Sequence, residues 1–460
     1  MSTSDLSDHL HRVVKLAIDS GEVASIEEAQ RLFAGYQLMI EAGPAVAASP
    51  TLQAALLTAV NAGRRCFLGG VRVAGDLDME LRVPWRRCRT VAEAVVQLQG
   101  QIVDAVIPEV PRVLIGSSNT PIEVGEFAVH ATFNGWSGAV VPVGGTHRLP
   151  EQMEFIPSGV LAGALAVSEA FQHVRGNVLA GRRSEGLSLW QLGEAISWLD
   201  ADPGPPLEIL PNALWLIGLG HLGQAYLWLL GFLPYAQPEN VRLVLQDTDS
   251  LVEANDSTSM LTDMSLIGKK KTRAMAQWCE QRGFQTLVNE RRFKNNFSVA
   301  DEEPQVALCG VDNALARAAL EDVGFRWILE AGLGRGPREY LAFQVHTFPA
   351  ARMARDRWAS LGDGENMEGT VQQPAYQALK GIDHCGLTQL AGRTVGAPFV
   401  GTATAAVVVA ELLRMMMGAH RNEIIDGSLR TLNGRLVVPS ELPPGTFNPG
   451  YTMAGAEFCS

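Results

Sequence analysis

Gly218-Leu219-Gly220-His221-Leu222-Gly223 follows the apolar run Leu214–Ile217 and opens a helical pattern. This is GxGxxG in the context that gives it meaning. The glycines permit a tight turn and let backbone amides approach a phosphate, and the helix N-terminus adds partial positive charge. The next apolar run, about 25 residues on, ends in Asp247-Thr248-Asp249, and an acid there accepts hydrogen bonds from ribose hydroxyls. Read by itself, this pair of signals describes a nicotinamide-dependent oxidoreductase. Three further features do not belong to one. Glu253-Ala254-Asn255 follows the acids at once. Gly268-Lys269-Lys270-Lys271-Thr272 opens another helix, where a lysine reaches a triphosphate as a point charge; Lys269 and Lys270 read more simply as a solvated helix start. Cys309-Gly310-Val311-Asp312-Asn313 stands at a strand end with Arg317 one helical turn along. A carboxylate at the C-terminal edge of a parallel sheet, beside bound phosphates, suits magnesium. In isolation a capping aspartate is the simpler reading.

The elements that must position these residues are also legible. The chain has 460 residues, too many for one small domain. Apolar residues make up 47% and charged residues 19%, which excludes a wholly disordered chain. The net charge of −12, from 37 basic and 49 acidic residues, with no basic run beyond Lys269–Lys271, excludes a chain built to hold nucleic-acid backbone. Six scattered cysteines with no CxxC pair exclude a disulfide framework or zinc knuckle. The polar, early-acidic N-terminus reads as no signal peptide, so a cytoplasmic protein is expected. Two apolar stretches approach the length of a membrane span. Leu214–Leu233 is broken by glycines and reads as strand, turn and helix, and Val395–Leu413, with Pro398 and Glu411, reads as a buried helix, so no membrane partner is expected.

Residues 1–62 read as N-terminal helices around His9–Ile18, Ile26–Ile40 and Thr51–Ala62. From 63 to 180, CFLGGVRV, RVLIGS, AVHATF and GAVVPV are strand-like, interleaved with helical patterns that end in the Ala-rich Phe155–Gly176. Such alternation means βαβ units and a mainly parallel sheet. Residues 181–211 are a junction: a helix over Leu187–Trp198, then a proline-rich stretch. Residues 212–440 repeat the α/β pattern, and 441–460 are expected to be extended. The halves resemble each other. FIPSGVLAGALAVSEAFQHVRG aligns with PFVGTATAAVVVAELLRMMMG, and RVLIGSSN with VALCGVDN, so that Ser118 falls where the second half has Asp312. Two matches in the same order point to a duplicated unit.

The order LIGLGHLG, QDTD, VEAN, IGKKKT, CGVDNALAR and DHCGLTQLAGRTVGAPFVGTATAAVVVAELLR resembles the adenylating superfamily of ubiquitin-activating enzymes and their bacterial relatives ThiF and MoeB, over roughly Leu214–Gly418. The resemblance implies a fold of two Rossmann-like adenylating-type lobes forming a pseudo-dimer within one chain, the second active and the first degenerate, where CFLGGVRV lacks the full glycine pattern and Ser118 replaces the acid. It implies ATP-dependent adenylation of the C-terminus of a ubiquitin-like protein, then a thioester on Cys385 and transfer to a separate conjugating enzyme. Gly218, Gly220 and Gly223 would cradle ATP, Asp247 or Asp249 would hold its ribose, Lys271 would neutralise phosphate charge and Asp312 would bind Mg2+. Asn255 and Asn313 would complete the nucleotide site. Cys385 lies between His384 and Gly386 in a polar stretch, which argues against burial. No zinc is expected, because the CxxC pairs of ThiF and MoeB are absent. The family's second asparagine and arginine are replaced by Ser257 and Thr258, so the phosphate-binding arginine must come from elsewhere: Arg12, Arg31, Arg273 or Arg317. Similar two-lobed activators occur in bacterial antiphage operons. A sulfur-carrier adenylyltransferase and a nicotinamide oxidoreductase are the rival readings, and the choice between a homodimer and an intrachain pseudo-dimer stays open.

Overall fold

A computed structural model describes residues 8–85, 87–118, 120–193, 196–296, 298–358, 372–379, 395–442 and 447–455. The architecture is α/β, with two sheets in chain order. The first contains β1 (Leu38–Ala42), β2 (Val71–Ala74), β3 (Gln101–Ile102), β4 (Arg112–Ile115), β5 (Ala128–Asn134), β6 (Ser137–Pro142) and β7 (Glu185–Ser188). Its spatial order is β3-β2-β1-β4-β5-β6-β7. After β8 (Ile209–Pro211), the second contains β9 (Ala213–Ile217), β10 (Arg242–Gln246), β11 (Gln285–Asn289), β12 (Val306–Cys309), β13 (Trp327–Leu333), β14 (Ala342–Phe348), β15 (Asn422–Ser428) and β16 (Thr431–Pro439). Its order is β11-β10-β9-β12-β13-β14-β15-β16. The first seven positions of the two sheets share one pattern, with five parallel strands and then antiparallel partners. The duplication inferred from helix and strand sequences is therefore a duplication of topology, and both lobes are Rossmann-like.

Three local expectations are corrected. The helix expected over Ile26–Ile40 stops at Ala34, and Leu38–Ala42 is a strand inside the first sheet, between β2 and β4. The sheet-bearing part of the first half thus begins before the boundary expected at residue 63. CFLGGVRV consequently supplies the second strand, β2, and not the strand that leads into the nucleotide turn. Leu187–Trp198 is not a helix: β7 ends at Ser188, and the described residues beyond it, as far as Trp198, are irregular.

The helices Ile156–Val174 and Pro398–Met416, nineteen residues each, pack on one another at the centre of the molecule. Their flanks join one hydrophobic core that runs through both lobes. Pro398–Met416 is long and apolar enough to cross a membrane, but 94% of its apolar window is buried inside the fold. Polar ties cross the same boundary. Trp228 Nε1 donates to Thr58 Oγ1 at 3.0 Å, and the Arg435 guanidinium donates to the carbonyls of Leu192, Gly193 and Ile196. Near the C-terminus β17 (Tyr451–Met453) pairs antiparallel with β8.

Candidate nucleotide site

The glycine turn is built as its sequence requires. Gly218 adopts φ +83°, a left-handed conformation that favours glycine. A Cβ on Gly220 would meet open space within 4 Å, so this residue faces the cleft. Gly223 differs from expectation: a Cβ there would lie 2.0 Å from the Gly218 carbonyl oxygen. It allows the helix His221–Leu230 to close on the turn and does not form the cradle wall.

Asp247 and Asp249 divide the work expected of either one. Asp247 Oδ2 accepts from the Leu219 amide at 2.7 Å, and Oδ1 accepts from the Asp249 amide at 2.8 Å. Asp247 therefore braces the turn. Asp249 leaves 66% of its side chain exposed and receives Lys271 Nζ at 3.0 Å, while Lys271 stands 3.9 Å from Asp247. Partial burial would raise the Asp249 carboxyl, but the Lys271 ammonium outweighs this and, with a smaller push from Arg292, holds it below the usual carboxylate range.

These residues share one cleft of about 910 Å³ with Asn255, Asp312 and Asn313. Asn255 Oδ1 accepts from the Val252 amide, and Asn313 caps the short helix Ala314–Ala318 through the Ala316 amide. Asp312 is exposed at the cleft wall. Among the described residues, no group of three His, Cys, Asp or Glu side chains could hold a metal without help. A magnesium ion that takes one carboxylate and completes its shell with phosphate oxygens and water fits this arrangement. Cys385 and His384 lie outside the described residues. Of the described thiols, burial raises Cys66 and pushes Cys279 and Cys309 up to about 12, so these three are inert core groups.

The candidates for the displaced arginine separate. Arg12 lines the cleft, and its backbone amide donates to Ser257 Oγ at 3.1 Å. Arg317 also lines it but is committed elsewhere. Its Nε donates to the Val311 carbonyl at 2.9 Å and stands 3.1 Å from buried Glu330, and its guanidinium lies over the Trp358 ring. Arg273 pairs with Glu290 outside the cleft, and Arg31 lies in the helix Ile26–Ala34, also outside it. Sequence reasoning missed Arg291, Arg292 and Lys294, which line the cleft after β11. The signal was present as Arg-Arg-Phe-Lys but had no motif around it.

His221 begins the helix after the turn and packs against the start of Pro398–Met416. A Cβ on Gly401 would lie 2.3 Å from its Nε2. Burial lowers its pKa to about 4, against the pull of the Pro398 and Ala397 carbonyls, so the ring is neutral at pH 7.

Among the described residues, the first lobe has no such site. β1 runs into Gly43-Pro44-Ala45-Val46-Ala47, with a single glycine and a proline that has no amide to offer. A Cβ on Gly43 would lie 1.8 Å from the Ser117 carbonyl oxygen, so the turn is packed shut. Ser118 and Thr120 donate to Glu41, which is buried and stands 3.5 Å from Arg112.

Fold and site together define a two-lobed, Rossmann-like α/β protein with one open and one closed turn after the corresponding strands β9 and β1. Residues 210–419 match the family described as BilD C-terminal domain, and residues 37–189 match BilD N-terminal domain. The bacterial E1-like protein BilD of Collimonas sp. (strain OK412) is 44% identical over 456 residues, covering 97% of each chain. The chain belongs to the BilD family of bacterial E1-like proteins. Among solved structures, the E. coli tRNA N6-threonylcarbamoyladenosine dehydratase TcdA in complex with AMP is 16% identical with a TM-score of 0.30, covering 45% of this chain and 86% of that one. E. coli MccB is 11% identical with a TM-score of 0.33, covering 69% and 93%.

Proposed function

We propose that this protein activates a bacterial ubiquitin-like protein in the cytoplasm as part of antiviral defence. It adenylates the partner's C-terminal carboxylate with ATP, takes the acyl group onto Cys385 as a thioester, and passes it to a separate conjugating enzyme. One observation carries the nucleotide half of this reading. The cleft is lined by eight cationic and four acidic side chains, a local balance of +4, in a chain whose net charge is −12. A cationic cleft in an acidic protein suits a triphosphate. Membership of an E1-like family supports the choice of a protein tail as the other substrate.

Each residue of the cleft has a role in this reading. Gly220 and the first amides of the helix His221–Leu230 receive phosphate oxygens. Asp249 accepts from the ribose, while Asp247 keeps the turn in shape. Lys271 exchanges its carboxylate partners for the phosphates, joined by Arg12 in place of the missing arginine. Asp312 would hold magnesium, which supplies charge neutralisation at the phosphates. A carboxylate oxygen of the tail attacks the α-phosphorus and pyrophosphate leaves. The Cys385 thiolate then attacks the acyl carbon and AMP leaves.

ATP–pyrophosphate exchange with the cognate ubiquitin-like protein tests the first step. Exchange is expected in the wild type and is abolished in Asp312→Ala; no exchange in the wild type overturns the reading. A conjugate released by thiol reductant, and absent in Cys385→Ala, tests the second step.

A further inference from the structure

The loop after β11 holds three cations at the cleft mouth. Phe293 is buried against the core that contains Trp215 and Val244. Gln246 Nε2 donates to the Arg291 carbonyl at 2.9 Å, and Trp215 Nε1 donates to Gln246 Oε1 at 2.9 Å. These contacts fix the loop backbone to β9 and β10, the strands that lead into the glycine turn and the acid pair. Its cationic side chains are left outside: Arg291, Arg292 and Lys294 are exposed and line the cleft. The acid beside them, Glu290, is occupied by Arg273 and Thr272. Among the described residues, none of the three cations has an ion-pair partner, whereas Lys271 and Arg317 are held by carboxylates.

A polyphosphate entering the cleft meets Asp247, Asp249 and Asp312 as well as Lys271. Three loop cations offset those three carboxylates before any contact forms. Exposed cations, screened by water, add little to the hold on a bound anion. Their field matters more at a distance, because fixed local charge alters encounter rates by about 10- to 1,000-fold at low ionic strength.

We infer that the loop 290–296 is an electrostatic entrance for the nucleotide: Arg291, Arg292 and Lys294 speed capture of the polyphosphate and contribute little to holding it, an inference that rests on the ATP reading above. The entrance marks the β11 side of the cleft as the nucleotide's route. The opposite side, where Leu315, Leu333 and Arg335 line the wall, is left to the second substrate.

Stopped-flow association of ATP labelled on the base N6, with the full chain and no partner protein, tests this at about 20 mM and about 500 mM salt, where the screening lengths are roughly 20 Å and 4 Å. The triple variant R291Q/R292Q/K294Q is expected to associate about tenfold more slowly at low salt and within about twofold of wild type at high salt, with dissociation unchanged. Arg182→Gln, an exposed cation on the first lobe, controls for net charge and should leave association unchanged. An unchanged association rate in the triple variant at low salt overturns the entrance. So does a change confined to dissociation, which would make these residues contacts. A wild-type protein that does not bind the nucleotide at all sinks the adenylation reading, and the entrance with it.

Discussion

Two carboxylates two residues apart illustrate how neighbours of one type come to do different work. Asp247 accepts two backbone amides and shapes the turn, whereas Asp249 faces solvent and Lys271. Hydrogen bonds to a charged acceptor contribute about 1.5–3 kcal/mol each, so Asp247→Ala is expected to lower stability by about 3 kcal/mol and to abolish nucleotide binding. Asp249→Ala removes a partly exposed pair and should cost less than about 1 kcal/mol while weakening ATP affinity about tenfold. Urea unfolding and nucleotide titration on both variants check the contrast. His221 makes a second residue-scale prediction. Its folded pKa of about 4 lies below the ordinary 6.5, so the unfolded chain binds the extra proton first as the pH falls. The contribution of the neutral ring is complete above about pH 6.5 and is lost progressively toward pH 4. The full shift corresponds to about 3 kcal/mol, and on the order of 2 kcal/mol remains once the ring edge that reaches the cleft is discounted. His221→Asn should therefore narrow the gap between thermal midpoints at pH 7 and pH 5, which calorimetry measures directly.

At the scale of elements, the loop carrying Asp312 depends on a neighbouring strand. Arg317, one helical turn on, donates to the Val311 carbonyl and reaches Glu330 on β13, which is fully buried and takes His346 Nδ1 at 2.8 Å on its other oxygen. Removing one partner of a buried pair costs about 3–5 kcal/mol, because the other charge is left uncompensated. Glu330→Gln should therefore lower the urea midpoint with an unchanged slope and raise the ATP concentration needed for half-maximal pyrophosphate exchange. None of this was legible in the sequence, since Glu330 reads as one polar residue in the apolar run RWILEAGLG. What was legible is local. The glycine turn, the acids at the end of β10 and the Asp312 loop each declare themselves within six residues, and all reach one cleft. β1 was missed because a short continuous apolar run cannot be told from a helix end by periodicity, and Leu38–Ala42 is buried on both faces. That error moved the search for the degenerate turn onto CFLGGVRV. Arg12 could be named only as one candidate of four, because the contact that brings its backbone to Ser257 spans 245 residues.

At the scale of the whole molecule, the closed first lobe is tied to the segment beside the open site at the end of its helix Pro50–Gly63. Just beyond that helix, Arg64 forms a bidentate pair with Asp256, at 2.7 and 3.2 Å. Arg65, 2% exposed, donates to the carbonyls of Ser259 and Thr262 at 3.0 and 2.8 Å. The segment they hold contains Asn255 and Thr258, which line the cleft. It also binds Gln224 on the glycine-turn helix through the Leu261 amide and the Thr262 hydroxyl. Burial would raise the Asp256 carboxyl, but Arg64 and Arg65 hold it below the usual range, so this tie is complete above about pH 4 and weakens below it. Arg65→Ala removes two buried hydrogen bonds across the lobes, while the Ser259 carbonyl keeps the Thr262 amide and the Thr262 carbonyl keeps Arg64, and should cost about 2 kcal/mol. If the first lobe only fills space, stability falls and the nucleotide binds as before. If it braces the cleft, as this route from Arg65 to Gln224 requires, ATP affinity falls about tenfold as well, although Arg65 does not line the site. Nucleotide titration at a temperature where the variant is fully folded separates the two outcomes.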